Sequence, residues 1–286
     1  MPLFSVLLPT HNRPDVLALA IRSVLAQSLQ DFEVLVVGDG CTDETAEVVS
    51  GFGDPRIRWF DLPKAPSFGY ANRNIALREA RGKLVAFLGH DNLYFPDHLE
   101  RMARAFRSSE VRLAYSLPLF LRDDGLVLPV FINLRIRPWR QRFLKQMNDI
   151  PATCVVHRRE DLAAAGFWPE EAERDGDWIL WKALIADRPP EAVLLERQPT
   201  CLHFRADWRQ RLYRKPPLNY LASLYDQERF WPFQLHLHLD EGATPQQQVW
   251  EKLSADPDRF VGGIRAGVRT AADHLAFSAG LDPAFS

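Results

Sequence analysis

The sequence has no long hydrophobic run and few cysteines. No apolar stretch among the 286 residues approaches the ~18 residues that a membrane-spanning helix needs, so no transmembrane segment is predicted. The apolar run near the N-terminus ends at Pro9 and has neither a basic start nor a cleavage site, which predicts that there is no signal peptide. The three cysteines are far apart and not in metal-ligand spacing, which favours a reduced, cytoplasmic setting.

An excess of charge of one sign is also missing. The chain has 35 Lys and Arg against 37 Asp and Glu, so its net charge of -2 creates no global field that would recruit nucleic acid. Hydrophobic content of 47% and charged content of 25% are ordinary for a globular protein. No internal repeat or low-complexity tract is present, and the length predicts one or two domains.

What is present is a regular alternation of strand and helix signals. Short apolar strands are predicted at 4–8, 32–37, 56–62 and 83–88. Helices with one apolar face are predicted between them, at 14–25, 44–50 and 69–81. Strand, helix, strand is the unit that builds a parallel sheet, so the sequence predicts an α/β fold.

Less regular signals follow in the second half of the chain. Two strands at 111–121 and 126–131 flank a hairpin turn at Asp123-Asp124-Gly125. A basic and aromatic segment follows, from Arg135 to Arg142, where a loop with a short helix is predicted. Helical segments are predicted near the C-terminus, at roughly 218–228, 245–254 and 257–280.

Carboxylates follow two of the predicted strands at the point where each strand ends. Asp39 lies between Gly38 and Gly40, and Asp91 lies in the Gly-His-Asp-Asn sequence after the fourth strand. Open α/β sheets bind ligands at the carboxyl ends of their strands, and two such ends predict one shared cleft. A tight turn in which Asp39 caps its own loop is the alternative interpretation.

Three segments resemble the family 2 inverting glycosyltransferases: PTHNRPDVLALAIRSVLAQSLQDFEVLVVGDGCTDET, GYANRNIALREARGKLVAFLGHDN and GFWPEEAERDGDWILWKAL. The resemblance covers about residues 3–187. It implies a GT-A fold, with a Rossmann-like, mainly parallel central sheet flanked by helices. The glycosyltransferase domain would span 1–207, with a nucleotide-sugar half at about 1–95 and an acceptor half at about 96–207. A helical extension would follow at 208–286.

The resemblance also implies a donor site for a nucleotide-diphosphate sugar. Asp39 matches the carboxylate that pairs with the nucleobase, and a carboxylate that accepts an imide N–H suits uracil or thymine. The donor would then be a UDP- or dTDP-sugar. Arg73 matches an arginine of the family that would lie over the nucleotide, and a structural ion pair with Asp39 or Asp91 is the alternative. The other residues that match the donor site are Pro9, Thr10, His11, Asn12, Arg13, Arg73, His90 and Asp91.

A divalent metal, Mn²⁺ or Mg²⁺, is implied as well, although the metal motif departs from the family pattern. Asp91 matches the carboxylate that grips the cation, whereas Gly89 and Asn92 stand where the family has further acids. Asp91, diphosphate oxygens and water can still hold such an ion. His203 matches a histidine that binds metal or diphosphate. The alternatives are an absent metal site and a structural His203.

Asp175 matches the general base of the family, with Asp177 and Glu173 as rivals. An acid placed just before a helix is otherwise a helix cap. The implied reaction is a single displacement with inversion, in which the base activates a hydroxyl of a sugar, lipid-linked or other acceptor.

Two other functions compete with this interpretation. The missing acid at Gly89 favours a nucleotide-sugar-binding protein that no longer catalyses. A nucleotidyltransferase ranks lower, because its glycine-rich loop is absent from 9–13. Peripheral contact with the inner face of a membrane and a homo-oligomer both stay open. Four arginines would close over the diphosphate, form a solvated face or bind anionic lipid: Arg205, Arg209, Arg211 and Arg214.

Overall fold

The structure is a computed structural model that describes residues 1–204 and 231–279, with side chains described up to residue 274. The predicted helix at 218–228 and the four arginines from Arg205 to Arg214 lie outside the described residues.

The described elements alternate between strands and helices as the sequence predicts. The strands are β1 (Phe4–Thr10), β2 (Phe32–Asp39), β3 (Ile57–Leu62), β4 (Leu84–Phe87), β5 (Leu93–Tyr94), β6 (Leu113–Ser116), β7 (Leu119–Leu121), β8 (Val127–Pro129), β9 (Val155–Arg158), β10 (Val193–Glu196) and β11 (Cys201–Phe204). The helices are α1 (Pro14–Leu25), α2 (Thr45–Ser50), α3 (Tyr70–Arg78), α4 (His98–Ala105), α5 (Arg137–Lys145), α6 (Leu162–Ala165), α7 (Gly176–Ile185), α8 (Pro245–Ala255) and α9 (Pro257–Ala279).

The larger sheet has the strand order β10-β6-β9-β4-β1-β2-β3. Strands β3, β2, β1 and β4 run parallel, and β9 inserts antiparallel between β4 and β6. Every residue of β2 is buried, because helices cover both faces of the sheet. This arrangement confirms the predicted α/β class with a mainly parallel central sheet.

A second sheet has the order β5-β11-β7-β8. The strand predicted at 111–121 is divided: β6 joins the large sheet, whereas β7 pairs with β8 and β11 in the small one. Pro118 lies at the division and has no N–H to continue a ladder, which explains why the strand ends there.

The C-terminal helices pack on this second sheet. Leu253 of α8 and Ile264 of α9 are buried in the same apolar cluster as Leu202 of β11. Arg265 of α9 donates to Asp97 over 2.8 Å, which ties the helix to the start of α4. No helix in the described part of the chain is long and apolar enough to cross a membrane.

Two histidines are enclosed in the core without charge. Burial lowers the pKa of His98 from 6.5 to about 3 and that of His157 to about 4. Each Nδ1 atom has a polar partner, Thr200 Oγ1 at 2.7 Å for His98 and Arg158 O at 2.8 Å for His157. Both rings are therefore neutral in the folded protein near pH 7.

We expect the free energy of unfolding to fall by about 2 kcal/mol per buried histidine between pH 7 and pH 5. The unfolded chain binds a proton near pH 6.5, whereas folded His98 binds one only near pH 3, so this stability is complete above pH 6.5 and is lost as the pH falls. Urea titrations at several pH values should show that the free energy of unfolding depends less steeply on pH in His98→Asn than in the wild type. The exposed His238 provides the control His238→Asn, which should keep the wild-type slope. An unchanged slope in His98→Asn would contradict the assignment.

Candidate active site

Asp39 lies at the end of β2, and its side chain contacts the loop that follows β3 rather than the turn that follows β2. Its Oδ1 accepts hydrogen bonds from Ala65 N at 2.8 Å and from Asn72 Nδ2 at 2.7 Å, and its Oδ2 contacts Lys64 Nζ. Gly69, in the left-handed region, lets the backbone approach: a Cβ there would lie 2.7 Å from Asp39 Oδ2. The carboxylate is therefore held by the loop and helix that follow β3, and it does not cap its own turn.

The loop after β1 joins the ends of two neighbouring strands. His11 Nδ1 lies 2.8 Å from the carbonyl oxygen of Asp39, and Thr10 Oγ1 lies 3.2 Å from His90 Nδ1. These contacts bring four residues predicted for the donor site to one edge of the sheet.

Three further predicted donor-site residues flank this loop. Pro9 lies in β1 opposite Val37 of β2, and Asn12 donates to Thr42 Oγ1 over 3.2 Å. Arg13 lies 3.7 Å from Asp15 in a partly exposed ion pair. The whole 9–13 segment therefore borders the carboxyl end of β2.

Arg73, also predicted to face the nucleotide, packs on aromatic rings. Its guanidinium carbon lies 5.0 Å from the Tyr70 ring centre and 4.6 Å from that of Trp168, within the range of a cation–π contact. Its Nη2 donates to Phe68 O over 3.1 Å. The arginine thus joins α3 to the segment that precedes α7.

Asn92, which stands where the family has an acid, connects the turn after β4 to β11. Its Nδ2 donates to Thr153 Oγ1 over 2.9 Å, and its Oδ1 accepts from Phe204 N at 3.0 Å. A Cβ at Gly89 would lie 2.4 Å from Asn92 Nδ2 and 3.1 Å from Asp91 Oδ1. A side chain at 89 and this position of Asn92 are therefore incompatible.

The predicted metal ligands lie in the same region. His203 precedes Phe204 on β11, and Gln246 of α8 donates to the carbonyl oxygen of Asp91 over 3.4 Å. Within residues 1–204 and 231–279, no group of three or more His, Cys, Asp or Glu could hold a metal ion. Among the residues that the structure describes, Asp91 therefore belongs to no cluster of metal-binding side chains.

Two carboxylates lie at the start of α7. Asp175 has a left-handed backbone (φ 57°) at the N-cap position, yet its side chain makes no capping hydrogen bond, so it is not a helix cap. It is exposed, and Arg174 Nε lies 3.6 Å from its Oδ2. Asp177 is half-buried and accepts from Asn148 Nδ2 at 3.4 Å and from Trp178 N at 2.8 Å.

Two asparagines of helix α3 bind Asp39 and the segment that precedes these acids. Asn72 binds Asp39, and two residues later Asn74 donates to Trp168 O and Glu170 Oε1 over 2.9 and 2.8 Å. One helix therefore contacts both the end of β2 and the segment that leads to α7.

Solved structures share this architecture. TarS from S. aureus in complex with UDP-GlcNAc superposes with a TM-score of 0.57 at 18% identity, covering 98% of this chain and 68% of that chain. A mannosyltransferase from Pyrobaculum calidifontis, in complex with GDP-Man and Mn²⁺, gives a TM-score of 0.50 at 18% identity, covering 98% and 76%. The fold is that of the GT-A glycosyltransferases, as the sequence predicts.

The sequence places the chain within this class. The model of glycosyl transferase family 2 matches residues 5–161, which is more than half of the chain. The chain therefore belongs to glycosyl transferase family 2.

Curated relatives carry glycosyltransferase names. An uncharacterized glycosyltransferase of Rickettsia felis is 40% identical over 97 residues, 34% of this chain and 16% of the relative. The E. coli protein WfgD, named UDP-Glc:alpha-D-GlcNAc-diphosphoundecaprenol beta-1,3-glucosyltransferase, is 29% identical over 193 residues, 67% of this chain and 73% of the relative. The putative teichuronic acid biosynthesis glycosyltransferase TuaG of Bacillus subtilis is 31% identical over 134 residues, 46% of this chain and 53% of the relative. The chain thus spans only part of several relatives.

We expect Gly89→Ala to lower the free energy of unfolding by about 1–3 kcal/mol, because the new Cβ displaces Asn92 from Thr153 and Phe204. Urea denaturation measures the loss. Gly262 in α9 has open space around its Cα, so Gly262→Ala is the control and should stabilise by roughly 0.5–1 kcal/mol. Equal effects of the two substitutions would show that Asn92 is not fixed as described.

Proposed function

We propose that this chain is an inverting glycosyltransferase that moves a sugar from a UDP- or dTDP-sugar to an acceptor hydroxyl. The observation that carries the proposal is that His11 and Thr10 link Asp39 to the turn that contains Asp91, while helix α3 contacts both Asp39 and Gly176 at the start of α7. The names of WfgD and of the TarS complex support a UDP-sugar donor. An inactive nucleotide-sugar-binding protein remains the alternative.

Asp39 and Lys64 are the proposed nucleobase-reading pair. The carboxylate accepts, and the half-exposed Lys64 ammonium beside it donates. An imide edge carries an N–H next to a carbonyl, so uracil and thymine match the pair, whereas cytosine offers no N–H at that ring position.

A divalent cation on Asp91 is the proposed partner of the diphosphate, with His90 and His203 as nearby nitrogen donors. When bound, such an ion neutralises charge that develops on the leaving diphosphate. Since Asp91 is the protein carboxylate that matches the motif, diphosphate oxygens and water must complete the coordination shell.

The general base is proposed among the acids that begin α7. Asp175 is the first candidate, because it is exposed and free of a capping role. Asp177 is the second, because it lies two residues further on, in the first turn of the same helix. The base would take the acceptor proton while the oxygen attacks the anomeric carbon opposite the diphosphate, which inverts its configuration.

The acceptor is proposed to be a sugar hydroxyl, and a lipid-linked sugar is consistent with the name of WfgD. A cytoplasmic location with peripheral contact at the inner face of the membrane would bring the site to such an acceptor.

We expect one of Asp175→Asn and Asp177→Asn to lower turnover by about 10²–10⁴-fold while UDP affinity stays unchanged, because a positioned base contributes that factor. The assay is UDP release from UDP-glucose and UDP-GlcNAc with a panel of acceptors. Asp187→Asn, an exposed acid beyond the end of α7, is the matched control. Full turnover in both variants would place the base elsewhere, and UDP binding without turnover in the wild type would favour the inactive protein.

We expect Asp39→Asn to weaken UDP binding by roughly 10–100-fold, because a hydrogen bond to a charged group is lost. Isothermal titration calorimetry should also show that Mn²⁺ strengthens UDP binding in the wild type but not in Asp91→Asn. Asp61→Asn, on the exposed side of β3, is the control. Equal affinity of the wild type for UDP and CDP would contradict the role of Asp39 and Lys64.

A further inference from the structure

Tyr70 connects the donor side of the site to the start of α7. It is the first residue of α3 and follows Gly69, which packs against the Asp39 carboxylate. Its hydroxyl oxygen accepts a hydrogen bond from Gly176 N at 3.1 Å. The Gly176 backbone lies directly on the ring: a Cβ there would be 2.5 Å from the Tyr70 Cζ atom. Residue 176 therefore lacks a side chain because the tyrosine ring occupies its space.

Trp168 also holds the Tyr70 ring in place. Trp168 stacks on it with ring centres 5.4 Å apart and planes 17° apart. Trp168 is itself held to α3, since its N donates to Asn74 Oδ1 over 3.0 Å and its O accepts from Asn74 Nδ2 at 2.9 Å. The tyrosine cannot shift without moving both α3 and the segment before α7.

The hydrogen bond to Tyr70 comes from the residue between the two candidate bases. Asp175 precedes Gly176 and holds a left-handed backbone that a non-glycine residue adopts only when its surroundings impose it. Asp177 follows Gly176 in the first turn of α7. The position of Gly176 thus sets the position of both carboxylates.

We propose that Tyr70 is a positioning residue. Its ring and hydroxyl hold Gly176 in place, and Gly176 in turn fixes Asp175 and Asp177 relative to the end of β2, where the nucleotide sugar is proposed to bind. The inference rests on the proposed function, in which one of these acids is the general base. It assigns to Tyr70 no contact with substrate. A substitution of Tyr70 is therefore expected to change turnover, whereas a substitution of Asp39 or Asp91 is expected to change nucleotide affinity.

The first test is Tyr70→Phe, which removes the hydroxyl and keeps the ring. We expect faster amide hydrogen exchange in a peptide covering 174–178, unchanged UDP affinity by calorimetry, and a kcat for UDP release from UDP-GlcNAc or UDP-glucose that falls by about 10–100-fold, as misplacement of a reacting group does. Tyr115→Phe is the matched control: the Tyr115 hydroxyl also accepts a backbone N–H, from Leu134 at 2.9 Å, but lies in β6. It should leave kcat and exchange at 174–178 unchanged.

The second test is a double-mutant cycle between positions 70 and 176. Gly176→Ala alone should lower kcat, because its Cβ meets the tyrosine ring. The same substitution in the Tyr70→Ala background should have little further effect, because the ring is gone. Additive effects would show that the two residues do not act through their contact.

The outcomes separate this inference from the proposed function. Unchanged exchange at 174–178, or faster exchange with unchanged kcat, in Tyr70→Phe overturns the role of Tyr70 while leaving the function intact. Normal turnover in both Asp175→Asn and Asp177→Asn overturns the proposed base, and the positioning role then fails with it even if exchange responds. Reduced UDP affinity in Tyr70→Phe would show that the tyrosine serves the donor site instead.

Discussion

The hydrogen bond between Asn72 and Asp39 determines where the parts of the site meet. Both side chains are buried, and a buried carboxylate that lost its donors would be strongly destabilising. The bond therefore fixes the first turn of α3 against the end of β2. Because Tyr70 and Asn74 belong to the same helix, that constraint extends to Trp168 and Gly176. One short helix therefore connects the end of β2 with the segment that leads to α7.

The sequence predicted the strands and the edge where the site lies, because these depend on local signals. Apolar runs marked β1, β2 and β4, and a glycine turn after β2 placed Asp39 at a strand end. The sequence did not predict that the strand at 111–121 divides at Pro118, because the strands with which each part pairs are distant along the chain. Whether Asp175 caps α7 was equally inaccessible, because a carboxylate that caps a helix and one that does not look alike in sequence.

The contacts that organise the site were beyond prediction for a related reason. Asn92 reaches Thr153 and Phe204, 61 and 112 residues away along the chain, and no local pattern links such positions. Gly89 and Asn92 each look like a lost acid when considered separately. In the structure they form one packing arrangement, in which the missing side chain at 89 makes room for the amide that ties β4 to β11.

The contact between Gln246 and the carbonyl oxygen of Asp91 has a consequence for protein engineering. Helix α8 comes from the C-terminal part of the chain, whereas Asp91 lies in the turn between β4 and β5. A chimera that receives its C-terminal helices from another member of the family would exchange a direct neighbour of the Asp91 turn. Grafts of the C-terminal helices should therefore carry the β4–β5 turn together with α8.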